Sequence, residues 1–333
     1  MIGKEIPVTQ IRVLAALFVL VAATFGQGTE DGRFRLALPE RNGQLRWSAP
    51  GFKVIELSAK SNGNEIGVRG SDEAGKVSFL GFLFVFSELA PLSSAKCRDG
   101  VLNPEKKENS TLKITGTSEY GVPPALPVSL VTYTTQGASG KTSYMVRGFI
   151  ATGEVCGDLE FYSDTPLGTD DPSLKGIFAS YGFDETYVPT YKDAFLYAQI
   201  LYDHQMFAAA GPKFELALAK LREQPEGDAK TMTRVLTDQA GMSYGISGNI
   251  SKARALFEKA IAEDPDYPLY YYNLACADAE EKNLVAARDH LQKAFERKAN
   301  VLKGESMPDP TKDDSFLPYR GNKDFWAFVQ NLR

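Results

Sequence analysis

The sequence RVLTDQAGMSYGISGNISKARALFEKAIAEDPDY, residues 234–267, is followed at once by PLYYYNLACADAEEKNLVAARDHLQKAFERKANV, residues 268–301, and the two align end to end. Numbering each copy from one, Gly241 falls at position 8, Tyr244 at 11, Gly248 at 15, Ala253 at 20, Phe257 at 24, Ala260 at 27 and Pro265 at 32. The second copy places Tyr271 at position 4, Leu274 at 7, Ala275 at 8, Ala287 at 20, Leu291 at 24 and Ala294 at 27. Small residues at 8, 20 and 27 let two antiparallel helices approach closely. Large residues at 4, 11 and 24 fill the space between neighbouring pairs. Gly248-Asn249 supplies the turn inside the first pair, and Asp264-Pro265 ends its second helix.

This set of positions resembles the tetratricopeptide (TPR) repeat. The resemblance implies a helical solenoid that holds a protein or peptide on its concave face, and it names no reaction and no cofactor. Residues 191–224 look like a degenerate first copy, with Ala198 at position 8, Ala210 at 20, Phe214 at 24 and Ala217 at 27. Gly211-Pro212 interrupts it, either opening a helix or breaking one. Residues 224–228 read as a polar connector. First-helix positions give the expected partner-binding residues: Phe195, Gln199, Tyr202, Asp238, Met242, Leu269, Tyr272 and Cys276. Rings and polar groups in alternation suit peptide binding, and the same rings equally suit packing between copies. One TPR subtype grips a terminal carboxylate with Lys and Asn. Asp238 stands at position 5 of the first clear copy, and Asn273 reads as packing, so that subtype is set aside. Residues 303–314 form a loop. Phe316, Tyr319, Phe325, Trp326 and Phe328 then make either a cap on the last helical face or a docking surface, and the open end of a solenoid requires a cap.

Residues 28–190 have a β-rich texture. Runs at 52–58, 77–86, 112–116, 128–135, 144–151 and 155–162 are rich in β-branched and aromatic residues, with Gly, Pro, Asn or Asp between them. The run 77–86 is apolar on both faces and belongs inside a sheet covered on two sides. Thr152-Gly153 turns a hairpin. Residues 91–109 hold a short helix or a long loop. Asp171 caps a final helix, with Pro172 in its first turn and Leu174, Ile177 and Phe178 on one face. The order FRLALP (34–39), WSAPGF (47–52), CGDLEFYS (156–163) and DPSLKGIFAS (171–180) resembles a PsbP-like α/β module. That family supplies no catalytic residues here. The expected fold class is therefore α+β: an antiparallel-sheet α/β sandwich, then an all-α TPR-type solenoid at 191–301 and a capping tail at 302–333.

The chain has 333 residues, 43% hydrophobic and 24% charged, with a formal net charge of −5. That length allows two domains, and that charge leaves no basic footprint for nucleic acid. Lys4 and Arg12 accompany a short apolar run, 13–23, ending in small residues. Residues 1–26 read as a secretory signal peptide, with an uncleaved anchor as the alternative. A protein exported to the periplasm or the exterior is expected, with no stable membrane insertion once the signal is cut. In an oxidising compartment Cys97 and Cys156 either pair as a disulfide or stand as two buried thiols.

His204 and His290 lie on different predicted helices, so a His metal site or a Ser-His-Asp arrangement has no support. Gly140-Lys141-Thr142 resembles the end of a phosphate loop, but Thr135 stands where Gly is needed, and the segment reads as a hairpin turn. No cofactor is expected. The function read from the sequence is a non-enzymatic adaptor that binds a protein or peptide. The alternative is an enzyme or small-ligand site in the N-terminal domain, carried by acidic and hydroxyl residues at 156–164, with the repeats as a docking arm.

Overall fold

The computed structural model describes residues 32–121 and 126–332. The expected signal peptide lies outside the described residues. By internal contacts the chain forms two compact units, one ending at Leu201 and the other starting at Tyr202.

The first unit contains β1 (Arg33–Leu36), β2 (Gln44–Ser48), β3 (Phe52–Ala59), β4 (Glu65–Asp72), β5 (Val77–Val85), α1 (Ser94–Glu108), β6 (Lys113–Tyr120), β7 (Val128–Gln136), β8 (Thr142–Thr152), β9 (Val155–Ser163), α2 (Pro172–Ser180), β10 (Gly182–Asp184) and most of α3 (Tyr191–Asp203). A seven-stranded antiparallel sheet runs β3-β4-β5-β9-β8-β7-β6, and a three-stranded sheet runs β1-β2-β10. On one face of the large sheet α1 packs Cys97 and Leu102 against Val131, Tyr133, Phe149 and Cys156. On the other, Phe34 and Trp47 from the small sheet meet Phe79, and Phe178 of α2 meets Phe161. The large sheet is thus covered on both faces, and Val77–Val85 is an inner strand, as its two-sided apolarity predicts.

Local chemistry fixes the other elements. The β8–β9 hairpin turns at Gly153, whose φ is +55°. The turn between β7 and β8 closes with Gly140 N–H donating to the Gly137 carbonyl, so Gly140-Lys141-Thr142 is a hairpin connection. Residues 91–109 resolve to a helix, since Ser93 caps α1 by accepting from Lys96 N–H. Asp171 caps α2 by accepting from Ser173 N–H at 2.9 Å, and a second bond, from the Ser173 hydroxyl, is the main cause that holds its carboxyl below the usual range. Strand β4 is not among the predicted runs. Gly67 and Gly70 dilute its pattern, and both are needed: a Cβ there would run into the rings of Phe82 and Phe79. Cys97 and Cys156 are bonded as a disulfide, with Cα atoms 6.0 Å apart. The hydroxyl of Tyr197 on α3 donates to the carbonyls of Lys60 and Glu65, at 2.6 and 2.8 Å. Most of the degenerate first copy's leading helix is thereby tied to the sheet unit, up to Leu201.

The second unit holds α4 (Phe207–Glu223), α5 (Ala229–Ile246), α6 (Ile250–Glu263), α7 (Pro268–Glu280), α8 (Leu284–Glu296) and α9 (Lys323–Asn331). Pro212 sits inside α4 without ending it. Helices α5–α6 and α7–α8 are the two hairpins of the 234–301 repeat. Ala253 and Ala260 are buried, 2% and 7% exposed, as are Ala287, Leu291 and Ala294 at 0%. Gly241 lies against the ring of Phe257, with no room for a side chain.

The turns supply the strongest internal sign of a repeat. Gln205, Gly248 and Lys282 all stand at position 15 of their copies, and all have positive φ, 60°, 86° and 62°. At the next position Asn249 and Asn283 each cap the following helix, accepting from Lys252 and Ala286 N–H. Their own N–H groups donate to the Tyr244 and Asp278 carbonyls at the same 2.8 Å.

Candidate functional site

The first-helix face of the second unit carries the candidate site, and the chain's own tail lies on it. After α8 a short 3-10 turn, Lys298–Asn300, leads into a segment without α-helix that runs to a second 3-10 turn, Leu317–Tyr319. Local turns shape this segment. Asp309 accepts from Thr311 N–H at 3.0 Å, and Asp313 accepts from Ser315 N–H at 3.0 Å.

Its side chains reach the last residue of the first copy and then the first helix of the second, in order. Glu305 accepts from the Tyr267 hydroxyl through both carboxylate oxygens, at 3.0 and 2.9 Å. Asp313 accepts from the Tyr272 hydroxyl at 2.9 Å and lies 3.8 Å from the Cys276 sulfur. The Tyr319 hydroxyl donates to the Ala279 carbonyl at 2.6 Å. The ring of Phe316, fully buried, meets Tyr272 edge-on. Tyr272, Cys276 and Ala279 occupy positions 5, 9 and 12 of the second copy, one line along the helix. Helix α9 then closes the end of the array. Phe325 and Val329 are buried with Ala287, Leu291 and Ala294, and Trp326 and Phe328 pack at the edge. The aromatic tail is therefore packed as a cap, and its leading segment also covers part of the expected groove.

At the preceding copy, position 5 is Asp238, only 4% exposed. Asn273 Nδ2 donates to its carboxylate at 2.5 Å, which joins α7 to α5. Burial, then the nearby Glu305 carboxylate, push Asp238 up to about 8, against the pull of Asn273. Burial, then Asp313, also push the Cys276 thiol well up. That sulfur is a protonated packing group rather than a thiolate.

Of the eight expected partner-binding residues, Phe195 and Gln199 are buried in the part of α3 that belongs to the first unit. Asp238, Leu269 and Tyr272 are also buried, at 4%, 6% and 2% exposure. Tyr202, Met242 and Cys276 are half-buried. The Tyr202 ring packs edge-on against Phe207 and Phe214. Open surface on this line is thus found at Met242 rather than along the whole set, because the tail and inter-copy packing take up the rest. Sequence reasoning omits Tyr267, Glu305 and Asp313. Each sits at a helix end or in a charged loop, where no periodic pattern marks it.

Two other polar constellations are structural in their geometry. In the second unit Asp278, 1% exposed, accepts from Arg254 of α6 at 2.6 Å and lies 2.6 Å from Nδ1 of His290 on α8. That pins three successive helices. In the first unit Arg147 donates to both Asp158 oxygens at 2.8 and 2.6 Å and to Glu105 at 2.8 Å. The Tyr133 hydroxyl donates to Glu160 at 2.5 Å. Burial raises the Glu160 carboxyl, opposed by Arg147 and the Tyr133 hydroxyl. Asp158 and Glu160 are two of the three acidic residues at 156–164 that carry the enzyme alternative, and their oxygens are engaged by Arg147 and Tyr133; the third, Asp164, pairs with Lys141 at the surface.

The fold and site define the class: a two-unit α+β chain with an antiparallel-sheet sandwich followed by helical hairpins repeated in tandem. No protein-family model matches the sequence, and no curated protein matches it. Among solved structures it is similar to the C-terminal TPR-containing domain of an FK506-binding protein of Plasmodium falciparum, at 15% identity over 43% of this chain and 88% of that one, TM-score 0.29. It is also similar to a multi-domain immunophilin of Arabidopsis thaliana, at 12% identity over 78% and 96%, TM-score 0.28. A third is cyanobacterial PsbP from Synechocystis, at 8% identity over 48% and 96%, TM-score 0.33.

Proposed function

We propose that this chain is an exported, non-enzymatic adaptor whose helical unit holds an extended segment of a partner protein along its first-helix face. One observation carries the reading. A non-helical segment, its own residues 302–316, already lies along positions 5 and 9 of the second copy through side-chain contacts. A surface that accommodates one non-helical segment through its side chains has the shape and hydrogen-bonding groups to take another. Export is supported by the apolar run at 13–23 and by the Cys97–Cys156 pair, which persists in oxidising compartments.

The test is affinity capture from the native host's envelope extract, with the parent chain beside a Met242→Lys variant. Met242 is half-buried, so the two are first matched by circular dichroism and melting temperature. Proteins retained by the parent and lost from the variant are the expected result. Identical capture by both would remove the groove from the reading. Export is checked separately by fusing residues 1–26 to a leaderless reporter, which should reach the extracytoplasmic side.

A further inference from the structure

We propose that residues 302–319 are a built-in occupant of the groove, and that the partner displacing them is an extended acidic segment. That segment would carry two carboxylates spaced like Glu305 and Asp313, followed by rings spaced like Phe316 and Tyr319. This rests on the adaptor reading and specifies its ligand class.

Three features of the site set that chemistry. Two of the tail's carboxylates meet tyrosine hydroxyls, Tyr267 to Glu305 and Tyr272 to Asp313, the latter also 3.8 Å from the Cys276 sulfur. A hydroxyl aimed at a carboxylate makes a charge-assisted bond without burying a counter-charge, so these positions select carboxylates over amides or amines. Tyr267 is itself held in place: Arg234 lies over its ring at 5.0 Å while gripping Asp264 at 2.6 Å. The second feature is the repeat-helix surface that receives the rings: Phe316 meets Tyr272 edge-on and the Tyr319 hydroxyl donates to the Ala279 carbonyl at 2.6 Å, with the tail's own Phe325 packed beside both. The third is the form of the occupant. Between Val301 and Leu317 it makes turns but no α-helix, and it is placed by side chains, which are the features of a peptide ligand.

The test keeps the whole chain. A protease recognition sequence is inserted between Lys303 and Gly304, both exposed, and the folded protein is cut. A labelled synthetic peptide of residues 304–333 should then exchange into the cut protein, read by fluorescence anisotropy, while helical circular dichroism is unchanged. The same peptide carrying Glu305→Lys and Asp313→Lys should compete about tenfold or more weakly, the equivalent of losing at least one charge-assisted hydrogen bond. The cut protein should also capture more envelope partner than the uncut one.

Several results would overturn the proposal: no exchange into the cut protein, melting of the helices when the fragment leaves, equal competition by the charge-reversed peptide, or no gain in capture. Dimers of the uncut chain that vanish on cutting would make the occupant a second copy's tail and would equally exclude an acidic partner. Exchange and competition use only this chain's own sequence, so they can succeed or fail independently of the Met242→Lys capture experiment.

Discussion

Asp238 and Arg147 are both buried charged residues, and their surroundings give them opposite consequences. Asp238 has one amide donor and a carboxylate neighbour, and it stands at about 8 where an unfolded chain would titrate near 3.9. Between those values the unfolded chain has released a proton that the folded chain keeps. The contribution to stability is therefore whole below about pH 4 and is lost as pH rises through about 8. Asp238→Asn keeps an acceptor for Asn273 and removes the titration. We expect it to match the parent near pH 4 and to exceed it by several kcal/mol, on the order of 5, near pH 8.5, read from urea midpoints at each pH. Arg147, by contrast, is matched on every side by Asp158, Glu105 and Glu160. Arg147→Met leaves Asp158 buried with no partner and should cost about 3–5 kcal/mol. Adding Asp158→Leu should recover a large part of that loss, which separates lost pairing from lost volume.

At the scale of elements, the glycines of α5 divide by what lies beside them rather than by helix propensity. A Cβ on Gly241 would strike the Phe257 ring, whereas one on Gly245 would sit at 4.0 Å from the Ala253 methyl, an ordinary contact. Alanine gains about 1 kcal/mol over glycine in a helix interior, while overpacking costs about 1–3 kcal/mol. Gly241→Ala is therefore expected to lower the unfolding midpoint of the helical unit, and Gly245→Ala to raise it, in the same thermal melt. The turns show a second element-level rule. Position 15 requires positive φ in all three copies, yet only one copy places glycine there, the others holding Gln205 and Lys282. The hairpin geometry repeats more faithfully than its residues do.

For the whole molecule, two compact units with separate cores predict two unfolding transitions by calorimetry. The Cys97–Cys156 bond lies wholly in the first unit and closes a 59-residue separation. Chain entropy assigns such a loop about 4 kcal/mol. Reduction should shift the transition of the sheet unit downward and leave that of the helical unit in place. A single transition shifted as one would show that the units unfold together.

The sequence by itself determined the two-unit α+β order, the 234–301 hairpins, the inner place of Val77–Val85 and the capping of α2 by Asp171. Each of these is written in local periodicity or in a residue whose φ or side-chain bond acts within a few positions. It also marked Asp238, Tyr272 and Cys276 as one line along the first helices. Only the tertiary structure decided that Asp313 returns to that line and Glu305 to Tyr267 just before it, that Gly67 and Gly70 belong to a strand, and that α3 up to Leu201 joins the sheet unit. Those outcomes depend on which distant side chains meet, Tyr267 with Glu305, Phe82 with Gly67 and Tyr197 with Lys60. A pairing across tens of residues leaves no periodic trace in the chain.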